Sequence, residues 1–349
     1  MLKSKTQNHL QETIFPFTTQ DGLECNLIRV QGEKPPDKSP VLLVHGAGVR
    51  GNIFRAPVET NVVDYLVASG YDVWLENWRA SIDVKQNHWT LDEAAVYDHP
   101  QAVKTIVEAT GWDKIKAIIH CQGSTSFMMS AVAGLVPEVE TIISNAVSLH
   151  PIVPLGSAIK IKTALPLVKP FTDHLNPQWG LEAKTFAAKL ISAFVALTHH
   201  ECNNAVCKQV SFTYGFGFPA LWRHENLNEA THEWVKQEFA YVPLSFFEQI
   251  STCISKGHLI SVAGKAELPD NFVAQPPQTE ARIAFFGGAL NLCFLPESQR
   301  KTFDFFNSYR PDYHSLHILP TYSHLDVFMG QNSAVDIFPL IVSELEKPI

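Results

Sequence analysis

Ile115-Lys116-Ala117-Ile118-Ile119-His120-Cys121-Gln122-Gly123-Ser124 is the stretch on which the reading of this 349-residue chain turns. The run Ile115 to Ile119 is short, branched and apolar, as a parallel strand buried on both faces requires, and it passes almost without a linker into a helix-like stretch from Gln122 to Leu135. The junction fits the pattern x-x-nucleophile-x-Gly, in which a glycine two residues past the nucleophile permits a sharp turn and leaves the reactive atom at a helix N-terminus. Cysteine holds the nucleophile position, and a helix N-terminus lowers a thiol's pKa, so Cys121 is a chemically sensible occupant. Ile119 stands where a first glycine is usual, which crowds the turn. The plainer alternative is a small buried cysteine at a strand end. Ser124 is a rival nucleophile, but it lies past the turn, where packing or capping suits it better.

Working outward, similar apolar runs occur at Val41 to Val44, Tyr71 to Leu75, Thr141 to Val147, Arg282 to Phe286 and Ser315 to Leu319. Helix-like stretches lie between them at Val58 to Ala68, Leu91 to Ala109, Glu297 to Ser308 and Ala334 to Leu345. Strand alternating with helix predicts an α/β fold with a mostly parallel sheet flanked by helices. The rhythm breaks from about Pro151 to Pro277, a helix-leaning stretch far longer than the ~15 residues a structureless loop reaches, so a folded insertion is expected. The expected organisation is a core in two parts, 1–150 and 281–349, with a largely helical cap (lid) at 151–280.

Composition narrows the function. With 27 basic and 35 acidic side chains the net charge is −8, which disfavours nucleic-acid binding. No window supplies the ~18 uninterrupted apolar residues of a bilayer span, and Met1 to Gln11 is polar with no apolar core behind its lysines, so a cytoplasmic protein is expected. Six scattered cysteines in a chain of this length are expected to remain thiols. His45-Gly46-Ala47-Gly48-Val49-Arg50-Gly51 is a formal G-x-G-x-x-G with Glu76 near a ribose-binding position, but Asn52 to Pro57 is not helical in pattern, so a dinucleotide site is the weaker reading and no cofactor is expected. His199-His200-x-Cys202 with Cys207 lacks a second ligand pair, and His224, His232 and His258 fall at no ligand spacing, so no metal is expected. Asp92-Glu93 reads as a solvated first helical turn.

If Cys121 is the nucleophile, an acid should follow the strand Arg282 to Phe286 and a histidine the last strand. His324 fills the second place as general base. The first holds Gly288-Ala289-Leu290-Asn291, an amide where a carboxylate is customary. Asn291 can orient a histidine paired with cysteine, although between Leu290 and Leu292 its amide could instead be satisfied by backbone groups; Asp326 and Glu297 are the alternative orienters. The oxyanion hole would use the N–H groups of Gln122 and Ala47.

Asn77-Trp78-Arg79-Ala80-Ser81, Tyr97-Asp98-His99-Pro100, the elbow at Cys121, Asn226 to His232, Asn291 to Ser298 and His324-Leu325-Asp326 together resemble the α/β-hydrolase domain appended to cholesterol-oxidase-like flavoproteins of the GMC class, from about Gly46 to the end. Tyr97-Asp98-x-Pro100 and His324-Leu325-Asp326 also resemble the acid lipases, which carry Ser at the elbow and Asp where Asn291 stands. The resemblance implies an α/β-hydrolase fold; with Cys121 as nucleophile, a thiolate that leaves more readily than an alkoxide favours an esterase, thioesterase or lactonase-like enzyme on thioesters, lactones or enol esters over simple alkyl esters. The flavin domain is absent, so no FAD is implied; functional association with a separate flavoprotein and a homodimer are compatible with the likeness. A pattern similar to polyhydroxyalkanoate synthases keeps an acyltransferase open, and the departures at Ile119 and Asn291 keep open a non-catalytic ligand-binding protein. Phe212, Tyr214, Phe216, Phe218 and Trp222 would either face an apolar acyl or ring-bearing small-molecule substrate or form the insertion's own core.

Overall fold

The computed structural model describes residues 10–349; the first nine positions of the polar N-terminal stretch lie outside the described residues. Eight strands form one sheet: β1 (Gln11–Thr18), β2 (Glu24–Gln31), β3 (Pro40–Val44), β4 (Asp72–Asn77), β5 (Ile115–His120), β6 (Val139–Asn145), β7 (Arg282–Gly288) and β8 (Ser315–Leu319), in the spatial order β1-β2-β4-β3-β5-β6-β7-β8. Only β2 runs against the rest, pairing antiparallel with β1 and β4. The expected parallel pairing of the strands at Val41 and Ile115 is present, with Val44 opposite Ile119.

The central strands are buried along their whole length, which is why their sequences are continuous rather than alternating. Helices α1 (Val62–Ala68), α2 (His99–Thr110) and α3 (Cys121–Val132) connect the first strands. Asn61 caps α1 through the Asp64 N–H, and Gly111 ends α2 in the left-handed conformation that glycine adopts without a Cβ penalty. The helix read over Leu91 to Ala109 starts at Leu91 but contains a π-helical turn, Ala94–Asp98, ahead of α2. Asp92 corrects an expectation. It is fully buried, its carboxylate accepting from Gln249 Nε2, Ser261 Oγ and the Val262 and Ala263 N–H groups, so it ties this turn to the residues that follow the insertion's last helix.

Between β6 and β7 the chain forms α4 (Leu155–Val168), α5 (Phe186–Thr198), α6 (Ala205–Tyr214), α7 (Glu229–Trp234) and α8 (Leu244–Lys256), with one two-residue β-pairing of His174–Leu175 against Val242–Pro243. Helix α9 (Glu297–Tyr309) joins β7 to β8, and α10 (Phe338–Leu345) is the last helix; the stretch read as one helix from Ala334 is divided ahead of Pro339. Among the described residues no helix is long and apolar enough to cross a membrane, and all six cysteines are free.

Candidate active site

β5 delivers its last residue, His120, directly into α3, and Cys121 takes φ +55°, a left-handed conformation that costs a non-glycine residue about 1 kcal/mol or more. Gly123 follows because nothing larger fits: a Cβ there would lie 2.2 Å from the His45 carbonyl oxygen. Gly46 is required from the other side, where a Cβ would lie 2.9 Å from Cys121 Cβ and 3.3 Å from its sulfur. Ile119 does not block the turn, since it stays within the sheet ladder between Val44 and Ser144. Ser124 is buried with its hydroxyl 2.9 Å from Ser144 Oγ, a structural contact.

His324 is buried, and one of its ring nitrogens lies within 4.8 Å of the Cys121 sulfur. Apart from the Cys121 sulfur beside it, its Nε2 has no partner among the described residues. Asn291 reaches the other nitrogen, with Nδ2 3.1 Å from His324 Nδ1. The amide orientation is fixed by the backbone: Asn291 Oδ1 accepts from the Cys293 N–H at 2.9 Å and the Phe294 N–H at 3.0 Å. The amide nitrogen therefore faces the ring and donates, so in the neutral ring Nδ1 accepts and the imidazole proton resides on Nε2. A carboxylate would have imposed the opposite tautomer. Of the other orienters considered, Glu297 is exposed at the start of α9. Asp326 is buried, with its oxygens engaged by the Ser323 and Arg223 N–H groups and Asn226 Nδ2.

Burial alone would raise the Cys121 thiol's pKa. Hydrogen bonding from Cys293, the charge and hydrogen bond of His324 and the Gln122 N–H outweigh it and bring the pKa down to about 5. Cys293, whose single S–H lies between the Cys121 sulfur and the Tyr214 carbonyl at 3.2 Å, is held protonated by its own burial and by Cys121. The sequence reading assigned Cys293 no role, although it lies two residues past Asn291 within the quoted stretch Asn291 to Ser298.

The loop expected to supply the second oxyanion donor is clamped from three directions. Trp78 Nε1 donates to the His45 carbonyl at 3.0 Å, Tyr214 Oη donates to the Ala47 carbonyl at 3.0 Å, and Gly48 N–H donates to the Ala80 carbonyl at 3.1 Å. Behind the elbow a buried chain runs from Glu76 through His99 Nδ1 at 3.0 Å, then His99 Nε2 to Ser126 Oγ at 2.8 Å, and Ser126 Oγ donates to the Gln122 carbonyl at 2.9 Å. Glu76 is thus a bracing acid. Gly51 opens only a single tight helical turn, Gly51–Phe54, so the glycine run has neither a phosphate-facing α-helix nor a free ribose acid. Arg79 and Asp98, from the other quoted motifs, form a buried pair with contacts of 2.9 Å and 2.6 Å.

Cys121 opens into a cavity walled by α4, α6 and α8, with Ile161, Leu165, Val168, Phe212, Phe247 and Ile250 among its lining residues. Lys160 is its one lysine or arginine; burial lowers its pKa to about 8, and its ammonium is satisfied by the Phe212 and Gly215 carbonyls. The aromatic cluster divides: Phe212 and Tyr214 line the cavity, Trp222 is in the core, and Phe216 and Phe218 are exposed. Two groups of metal-capable side chains exist among the described residues, His120-Cys121-His324 at the elbow and Cys202-Cys207-His224-His232 in the insertion.

A family model described as the α/β hydrolase fold matches residues 39–200. The soluble variant of monoglyceride lipase from Saccharomyces cerevisiae superposes with a TM-score of 0.60 at 15% identity, covering 98% of this chain and 97% of that one. The chain has the α/β-hydrolase fold. On this α/β-hydrolase scaffold, sequence similarity falls on lipolytic proteins. Sterol esterase 2 of Saccharomyces cerevisiae is 25% identical over 163 residues, 39% of this chain and 30% of that protein. Lipase lipl-1 of Caenorhabditis elegans is 30% identical over 182 residues, 47% of this chain and 43% of its own length. The matched stretch thus spans less than half of either relative.

Proposed function

We propose that this α/β-hydrolase-fold chain is an acyl-transfer hydrolase in which Cys121 attacks, His324 handles protons and Asn291 orients the ring, with residues 151–280 acting as a cap over an apolar acyl substrate. The observation that carries this reading is the left-handed Cys121 on the wall of the apolar cavity, with a buried histidine beside it whose Nε2 has no other described partner. The similarity to lipases and a sterol esterase supports the ester class.

The Cys121 thiolate, stabilised by the Nε2–H of His324, forms a bond to the acyl carbon while the carbonyl oxygen gathers negative charge between the Gln122 and Ala47 N–H groups. Collapse expels the leaving group. A thiolate or enolate departs as an anion without help, whereas an alkoxide needs a proton, and drawing it from Nε2 would leave an imidazolate. Thioesters and enol esters are therefore favoured over alkyl esters. Deacylation by water needs His324 to accept a proton at Nε2, so its own proton must first move to Nδ1 and the Asn291 amide must turn over. This makes deacylation the slow step and favours acyl exchange onto a thiol, the second reading we keep. The flavoprotein-appended domain remains the family type we propose, and a separate flavoprotein partner belongs to the same proposal.

The test compares a thioester and an alkyl ester of one medium-chain acid. Wild-type protein should turn over the thioester at least about tenfold faster, and Cys121→Ala and His324→Ala should be inactive on both. Activity retained in Cys121→Ala, or equal rates on the two donors, would overturn the assignment. A Cys121 no more reactive to iodoacetamide near neutral pH than an exposed thiol would favour the non-catalytic binding protein.

A further inference from the structure

Four residues remote in sequence meet inside the insertion. Cys202 lies in the loop before α6, Cys207 in the first turn of α6, His224 on the short turn His224–Asn226 and His232 on α7. Their spacings, C-x4-C and H-x7-H, match no familiar ligand pattern, yet one ligand atom from each lies within 4.8 Å of every other. We propose that they form a tetrahedral structural zinc site.

The dimensions fit the ion. Zn–S bonds of about 2.3 Å and Zn–N bonds of about 2.0–2.1 Å set a tetrahedral S···N edge of about 3.5 Å. The Cys207 sulfur is 3.4 Å from His224 Nε2. The imidazoles of His224 and His232 have centroids 4.7 Å apart and planes at 71°, so both can turn a nitrogen to a common point. His232 Nε2 is buried and hydrogen-bonded to no group among the described residues. Two thiolates and two imidazoles are a soft-to-borderline, charge-neutralising set for Zn²⁺, and four protein ligands leave no open position, which marks a structural role.

The surroundings are built to hold the ligands in place. Asn204 Oδ1 accepts the Cys207 N–H at 3.1 Å, capping α6, while its Nδ2 donates to the His232 carbonyl at 2.6 Å, so one side chain joins three of the four ligand-bearing segments. Asn228 caps α7 and donates to the Pro57 carbonyl at 3.1 Å, fixing that helix to the sheet domain. The segment carrying His224 continues to the catalytic loop. Leu221 O accepts the His324 and Leu325 N–H groups at 3.2 Å and 2.8 Å, and the Arg223 N–H and Asn226 Nδ2 both donate to Asp326 Oδ2. Zinc at this point would pin the strut against which the His324 loop rests, with no contact to substrate.

The test uses the full chain expressed with zinc and purified under reducing conditions. Metal analysis should find one equivalent of zinc in wild type and in His200→Ala, an exposed neighbouring control, and less than about a tenth in Cys202→Ser and His232→Ala. Exchange of zinc for cobalt in wild type should give the visible bands of tetrahedral cobalt with a thiolate charge-transfer band, which decides the matter even if the variants do not fold. Zinc removal should speed amide exchange at 221–226 and 321–326 more than in the central strands. A metal-free wild type, zinc retained by the two variants, a cobalt spectrum without thiolate character, or a Cys202–Cys207 disulfide in the freshly purified protein would each overturn the proposal.

Discussion

Replacing Asn291 with aspartate should convert the proposed site from a slow deacylator into a faster hydrolase. In the present site the backbone N–H groups of Cys293 and Phe294 hold Asn291 Oδ1, so an amide nitrogen faces His324 Nδ1. A carboxylate of the same shape can keep both backbone donors on one oxygen and accept Nδ1–H with the other, which moves the ring proton from Nε2 to Nδ1 and presents a lone pair toward Cys121. The magnitude follows from the tautomer. In a serine triad the reverse change, carboxylate to amide, leaves the geometry intact and lowers kcat by about 10⁴. Here the thiolate forms without a base, so only leaving-group protonation and deacylation benefit, and a gain of roughly 10² on an alkyl ester is expected, about 3 kcal/mol of barrier. Steady-state hydrolysis of an alkyl ester, with pre-steady-state bursts on a thioester, measures it: the burst should shrink as deacylation accelerates. Imidazole nitrogen chemical shifts should report the proton on Nε2 in the wild type and on Nδ1 in the variant. A folded Asn291→Asp protein with unchanged rates, or a wild type already protonated at Nδ1, would refute the reasoning.

Three further outcomes follow from the site. The Cys121 pKa is depressed in the folded state, so the reactive thiolate is present above about pH 5 and is lost as pH falls through that value; iodoacetamide alkylation of Cys121 should inflect near pH 5 and shift up toward the ~8.5 of a free thiol in His324→Ala, with the Cys293 hydrogen bond holding it below that value. Gly123→Ala would bring a methyl to within 2.2 Å of the His45 carbonyl, so it should destabilise the fold by roughly 1–3 kcal/mol in denaturant melts and depress acylation by displacing the oxyanion loop. Ala164→Trp, on the cavity wall contributed by α4, should shorten the preferred acyl chain while leaving alkylation of Cys121 unchanged.

How much of this was legible in the sequence depended on whether chemistry and position coincide locally. The central strands declared themselves because parallel strands covered on both faces are continuous apolar runs, as in Pro40–Val44; the edge strand Ser315–Leu319, half-buried, also matches the reading residue for residue. The edge pair β1 and β2 did not, since β1 is mostly exposed and interrupted by Pro16. Cys121, Asn291 and His324 were placed by chain order, each just past a sheet strand, and the structure brings Asn291 to the ring while Asp326 and Glu297 lie elsewhere. What escaped was long-range satisfaction of buried groups. Asp92 looked like a solvated helix start because its partners are about 160 residues away in sequence. Cys202 and Cys207 lacked two ligands because those sit on a separate turn and a separate helix.

In the proposed reaction Cys121 is acylated by the donor. Intact-protein mass spectrometry within seconds of mixing with a medium-chain acyl thioester tests it most directly. The wild type should gain the mass of one acyl group, located on Cys121 by peptide mapping and decaying slowly, and Cys121→Ala should gain none. A wild type that turns the donor over without a Cys121 adduct, or an adduct formed equally in Cys121→Ala, would contradict it.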